Sequence, residues 1–95
     1  MPRFYHGAYI GTGAALTIDK VPFQPDYVRL FNATTGPTIA DKTADMPGDD
    51  FFKTQAAVAL VTAQGITLTA DGFDLGTDAD INTSGDTVYF VAFGN

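Results

Sequence analysis

Thr87-Val88-Tyr89-Phe90-Val91-Ala92-Phe93 sorts its side chains into two alternating sets: Val88, Phe90 and Ala92 against Tyr89, Val91 and Phe93. Successive side chains of a strand point to opposite faces, so this segment reads as a strand that is apolar on both. Such a strand is central in its sheet, or carries a face that a neighbouring subunit covers. Tyr27-Val28-Arg29-Leu30-Phe31-Asn32 alternates in the same way, with Tyr27, Arg29 and Phe31 on one side and Val28 and Leu30 on the other. Two such strands set the expectation for the rest of the chain.

Outward from them, short apolar and aromatic segments are separated by Gly, Pro, Asn and Asp at even intervals, the pattern of a sandwich or barrel. Residues 4–10 and 14–18 read as strands, with Gly11-Thr12-Gly13 as a hairpin turn between them. Pro22 and Pro25 make 21–26 an extended connection or an edge. Residues 34–50 are polar, punctuated by Gly36-Pro37 and Pro47-Gly48, and read as a long loop with a short strand near Ile39. Loops of that length are often functional. Residues 51–60 are read as strand, because Val58-Ala59-Leu60-Val61 suits a buried one. The alternative is a helical turn, whose face would join Phe52, Ala56, Ala59 and Leu60. Residues 66–69 and 72–76 are further strands, and 78–86 is turn chemistry.

Composition agrees with this reading. All eleven acids are aspartate, which favours caps and turns, while thirteen threonines, eight phenylalanines and four tyrosines favour strands. The expected fold is one all-β domain over residues 1–95, a compact antiparallel β-sandwich or barrel of jelly-roll-like kind, with a short helix or none. A chain of 95 residues is marginal on its own core. It has no cysteine and a single histidine, His6, so disulfides, thiolate sites and histidine-cluster metal sites are excluded. Association with other chains is the remaining source of stability.

The formal charge of −6 and five scattered basic residues argue against nucleic acid and against anionic membranes as partners. No apolar run approaches the ~20 residues of a membrane span. The first residues hold no apolar signal core, so the chain is expected to be made in the cytosol, and used there or carried out inside an assembly.

No motif points to catalysis or to a cofactor. His6 and Ser84, the only histidine and serine, are a poor basis for a triad. His6 reads as an ordinary part-buried strand residue before it reads as a ligand or a pH switch. Asp49-Asp50 and Asp78/Asp80 read as turn-capping aspartates before acid-base pairs. Asp78-Ala79-Asp80-Ile81-Asn82 begins like a calcium loop, but Thr83 and Tyr89 stand where that loop needs Gly and Glu. Gly11-Thr12-Gly13 lacks the third glycine and the helix of a phosphate loop. Asn32-Ala33-Thr34 and Asn82-Thr83-Ser84 match the glycosylation sequon, yet turn formation explains their asparagines better. Twelve aromatic residues are many for a core this small. Phe4, Tyr5, Tyr9, Phe51 and Phe93 are therefore expected to share a surface with a partner; stacking of a carbohydrate on an exposed tyrosine is the lesser option.

Two segments carry a resemblance. Phe23-Gln24-Pro25-Asp26-Tyr27-Val28 is similar to a hydrophobic-x-Pro-Asp-aromatic-Val strand start. Gly72-Phe73-Asp74-Leu75-Gly76, followed by Asn82, Ser84-Gly85 and Tyr89, resembles a Gly-Phe-x-hydrophobic-Gly … Asn-x-Ser-Gly-x-x-Tyr ending. Both resemble small β domains of tailed-bacteriophage structural proteins, over about a quarter of the chain. Phe90 and Phe93 stand where that family commonly has another aromatic, often tryptophan. The resemblance implies no catalytic residue. It implies a virion structural protein, and the short chain favours a capsid decoration (cement) protein on the outer capsid surface, assembled in the host cytoplasm. Its implied partners are the major capsid protein and copies of itself, a trimer being favoured. The alternative is a tail- or head-fibre module that binds a host glycan or receptor.

Overall fold

The computed structural model describes residues 3–33, 38–55 and 57–94. Gly36-Pro37 and Ala56 lie outside them. Nine strands form: β1 (Arg3–Ile10), β2 (Leu16–Ile18), β3 (Tyr27–Asn32), β4 (Thr38–Thr43), β5 (Phe51–Thr54), β6 (Val58–Val61), β7 (Ile66–Thr69), β8 (Gly72–Leu75) and β9 (Thr87–Gly94). They build an antiparallel β-sandwich, and no helix occurs among the described residues. The large sheet has six strands in the order β1-β9-β3-β4-β5-β6, and the small sheet has three in the order β2-β8-β7.

The alternation of β3 and β9 sets the core. Val28, Leu30, Val88, Phe90 and Ala92 point inward, where they meet Ile18, Phe73, Leu75 and Ile66 of the small sheet. Phe73 stands edge-on to Phe90 at 5.2 Å between ring centroids and near Tyr9 at 6.5 Å, the tilted geometry that aromatic quadrupoles favour. The proline-bearing stretch before β3 forms no strand and bends at Pro22-Phe23 and Asp26, and its Val21 and Phe23 are buried in the same core.

Three sequence expectations are corrected. The turn at 11–13 joins no hairpin: β1 pairs with β9 and β2 with β8, so the chain crosses there from one sheet to the other. Gly11 sits so close to the backbone at Thr83 that a Cβ would overlap its carbonyl. Within the loop expected over 34–50, the short strand expected near Ile39 is present but is a full six-residue strand, β4, in the interior of the large sheet. The stretch 51–60 is neither one strand nor a helical turn but the hairpin β5–β6.

β4 was hidden by Lys42, which points inward and is 2 % exposed. Its ammonium donates to the backbone carbonyls of Met46, Gly48 and Asp50 at 2.9, 3.0 and 2.8 Å. Burial pushes its pKa down, against the pull of Asp50 and Asp49. A buried ammonium is tolerable only with its protons so satisfied, and the arrangement pins the 46–50 turn to the sheet.

Candidate functional site

The outer face of the large sheet follows from the pairing registers. One row across it reads Phe4, Phe93, Tyr27, Thr43. The next reads His6, Val91, Arg29, Asp41, Phe52, Leu60, and the third Ala8, Tyr89, Phe31, Ile39, Thr54, Val58. Ile10 lies beyond them, opposite Thr87. Among the described residues, the exposed large hydrophobic ones are Phe4, Ile10, Phe31, Phe52, Val58, Leu60, Tyr89 and Phe93, each 40 to 66 % exposed. All of them are on this one face.

The magnitude decides how to read it. With about 200 Å² per large side chain, these residues leave on the order of 800 Å² of apolar surface uncovered. Monomers rarely expose more than about 300–600 Å² in one patch. A standard protein interface takes about 800 Å² from each partner.

The aromatic rings are mutually ordered. Phe93 lies 5.0 Å from Phe4 and 5.9 Å from Tyr27, and Phe4 lies 5.7 Å from His6. A polar island sits beside them. Asp41 Oδ1 accepts from the Tyr27 hydroxyl at 2.6 Å and from Arg29 Nε at 2.7 Å. Burial and the adjacent carboxylate push the Tyr27 pKa up, and the Asp41 hydrogen bond raises that of Arg29. Arg29, Phe31, Tyr89 and Val91 also line a shallow apolar depression. Among the described residues, Arg29 and Asp41 are the ordinarily charged side chains of this face, and they cancel.

The five aromatic residues expected at a partner surface separate. Phe4 and Phe93 are exposed on this face. Tyr5 is part-buried on the inner side, 6.3 Å from Phe90. Phe51 and Tyr9 lie within the chain's own core, and Tyr9 donates from its hydroxyl to the Ile81 carbonyl at 2.6 Å, burial driving its pKa up. Sequence reasoning missed Ile10, Phe31, Phe52, Val58, Leu60 and Tyr89. Strand parity was the available signal: Tyr9 and Ile10, like Phe51 and Phe52, must point to opposite faces.

The remaining motifs have structural roles. Lys53 donates to Asp78 at 2.7 Å and to Asp80 at 2.8 Å, so a cation already occupies that carboxylate pair. Burial opposes the charge on Lys53, but the two carboxylates overrule it and raise its pKa. Asn82 is fully buried; it accepts from Thr12 N and donates to the carbonyls of Ala14 and Gly76. Asn32, in β3, is buried too, and donates to the Asp80 carbonyl and to Asp86. Both sequon asparagines are thus internal fasteners. His6 is four positions along β1 from Ile10, roughly 13 Å, whereas Ser84 belongs to the loop that meets the strand end through Gly11. No family model, no curated protein and no solved structure matches this chain.

Proposed function

We propose that the chain is a non-enzymatic virion structural protein, a capsid decoration protein that seats the outer face of its large sheet on the major capsid protein. One observation carries the reading: among the described residues, every exposed large hydrophobic side chain is on that face. The resemblance of residues 23–28 and 72–89 to phage structural domains supplies the kind of partner. Burying the face would stabilise shell and domain together, since whatever binds the native state adds to its stability by mass action. Of the eleven aspartates, only Asp41 is on this face. The remaining acidic surface would point away from the shell.

The second reading, a fibre module for a host glycan or receptor, is favoured by one feature, the Tyr27–Asp41–Arg29 island beside the exposed Phe93 ring. Quantitative mass spectrometry of purified virions separates the two. Copy numbers comparable to the major capsid protein are expected. A few copies per particle would transfer the chain to the fibre, and its absence from the particle would overturn both readings.

A further inference from the structure

We infer that β6 is a self-association edge, through which two copies of this chain pair antiparallel about a twofold axis. The inference does not depend on the decoration reading.

β6 closes the large sheet on one side and, among the described residues, pairs with β5 alone. Its Val61 packs against the core. Val58, Ala59 and Leu60 are all exposed, although their side chains alternate between the two faces. An uncovered edge strand offers a row of main-chain donors and acceptors to another strand. Natural edges are usually guarded by Lys, Pro or a bulge. The opposite edge, β1, is guarded: Lys20 donates its ammonium to the Ala8 carbonyl at 3.0 Å, and Arg3 reaches across to the Pro22 carbonyl. Among the described residues no lysine or arginine donates to a β6 carbonyl, and positions 54 to 70 hold no charged residue and no proline.

Charge selects the occupant. A chain of net charge −6 repels its own copies over most approaches. The β6 strand itself carries no charge, and the carboxylates nearest it, Asp78 and Asp80, are partly neutralised by Lys53 opposite Ala59, so the opposition is reduced at this margin. The pairing is also self-consistent. Directly opposed residues of an antiparallel pair share a face, so a twofold contact must centre on one residue, here Ala59 or Leu60. Val58 and Leu60 of both copies then emerge on the same side, and the two outer faces merge into one doubled apolar surface. Four residues of edge bury less than the roughly 1,200 Å² of a standard interface, so the dimer is weak when free. On a surface that already holds both copies, the same contact becomes effectively intramolecular and gains accordingly.

The test uses purified protein alone. In sedimentation velocity the chain is expected to be monomeric at about 10 µM and increasingly dimeric towards about 1 mM. Ala59→Asp should remove the dimer, while Tyr89→Ser should leave it unchanged. The chain has no cysteine, so single cysteines report position directly. Ala59→Cys or Leu60→Cys should oxidise to a disulfide dimer at least about tenfold faster than Ile10→Cys at the β1 edge, since paired strand positions lie within disulfide reach. A monomer throughout with cross-linking at the Ile10→Cys rate, a trimer, or a dimer removed by Tyr89→Ser and not by Ala59→Asp would each overturn the inference. None of these results would alter the copy number in particles, so the two proposals fail separately.

Discussion

The two sheets use one rule of alternation and fill their outer faces differently. On the small sheet, Thr17, Asp74 and Thr67 stand opposite one another with Thr69 beside them, all polar. On the large sheet, the corresponding positions are Phe4, Phe93, Tyr89, Phe31, Phe52 and Leu60. Water solvates threonine and aspartate at no cost, whereas each exposed ring forgoes roughly 1.5–3 kcal/mol of available burial. A fold needs its inner faces apolar, and nothing in folding requires an apolar outer face. That contrast is why the large sheet, and not the small one, is where function is to be sought.

The comparison can be broken at its base by testing whether the two sheets share one core. Phe73→Ala empties a fully buried site between Tyr9 and Phe90. A loss of about 3–5 kcal/mol is expected in urea melts. A loss under about 1 kcal/mol would mean that the sheets are not mutually supporting.

Lys42→Met should cost about 1–3 kcal/mol, because three part-buried carbonyls lose their donor. It should also leave the outer face unchanged, since Lys42 points inward.

Lys53→Met, at the clamp on Asp78 and Asp80, should cost about 1–2 kcal/mol. The pH dependence has a definite sign. The folded pKa of Lys53 is raised above 10.5, so the clamp's contribution is complete below pH 10.5 and declines as pH rises through the folded value. The gap between Lys53→Met and the parent should therefore be constant through neutrality and narrow only in strong alkali.

The smallest effects sharpen the contrast most. Phe31→Ser and Asp74→Ser should each change stability by under about 1 kcal/mol, both being exposed. Only Phe31→Ser should reduce binding of a hydrophobic dye such as anilinonaphthalene sulfonate. Equal dye binding by the two variants would erase the distinction between the faces.

β3 and β7 were legible to the residue, because Tyr27–Asn32 and Ile66–Thr69 alternate without interruption. β4 was not. Its inward positions are Thr38, Ala40 and Lys42, and a lysine neutralised by carbonyls from a later turn looks, in sequence, like a solvated one. β6 failed in the opposite direction: four apolar residues suggest burial, yet the strand is a sheet edge with its first three residues exposed. Position in a sheet depends on which strands arrive beside it, and that information is spread over the chain. The site was half legible for a related reason. Counting aromatic residues correctly suggested a surplus, but parity alone does not say which of two apolar faces the second sheet will cover.

The pairing of β1 with β9 has a consequence in time. Arg3 stands opposite Gly94, and β9 lies between β1 and β3. The last of these nine strands therefore bridges two that precede it, and β1 has no sheet partner among the described residues until β9 has been made. Contacts so distant in sequence close slowly. Nascent copies on neighbouring ribosomes would meanwhile carry unpaired strands rich in phenylalanine and valine, and such strands are prone to pair with the wrong chain. A domain wired in this way depends on prompt synthesis of β9, and its yield should respond to the rate of translation more than to the stability of the finished sandwich.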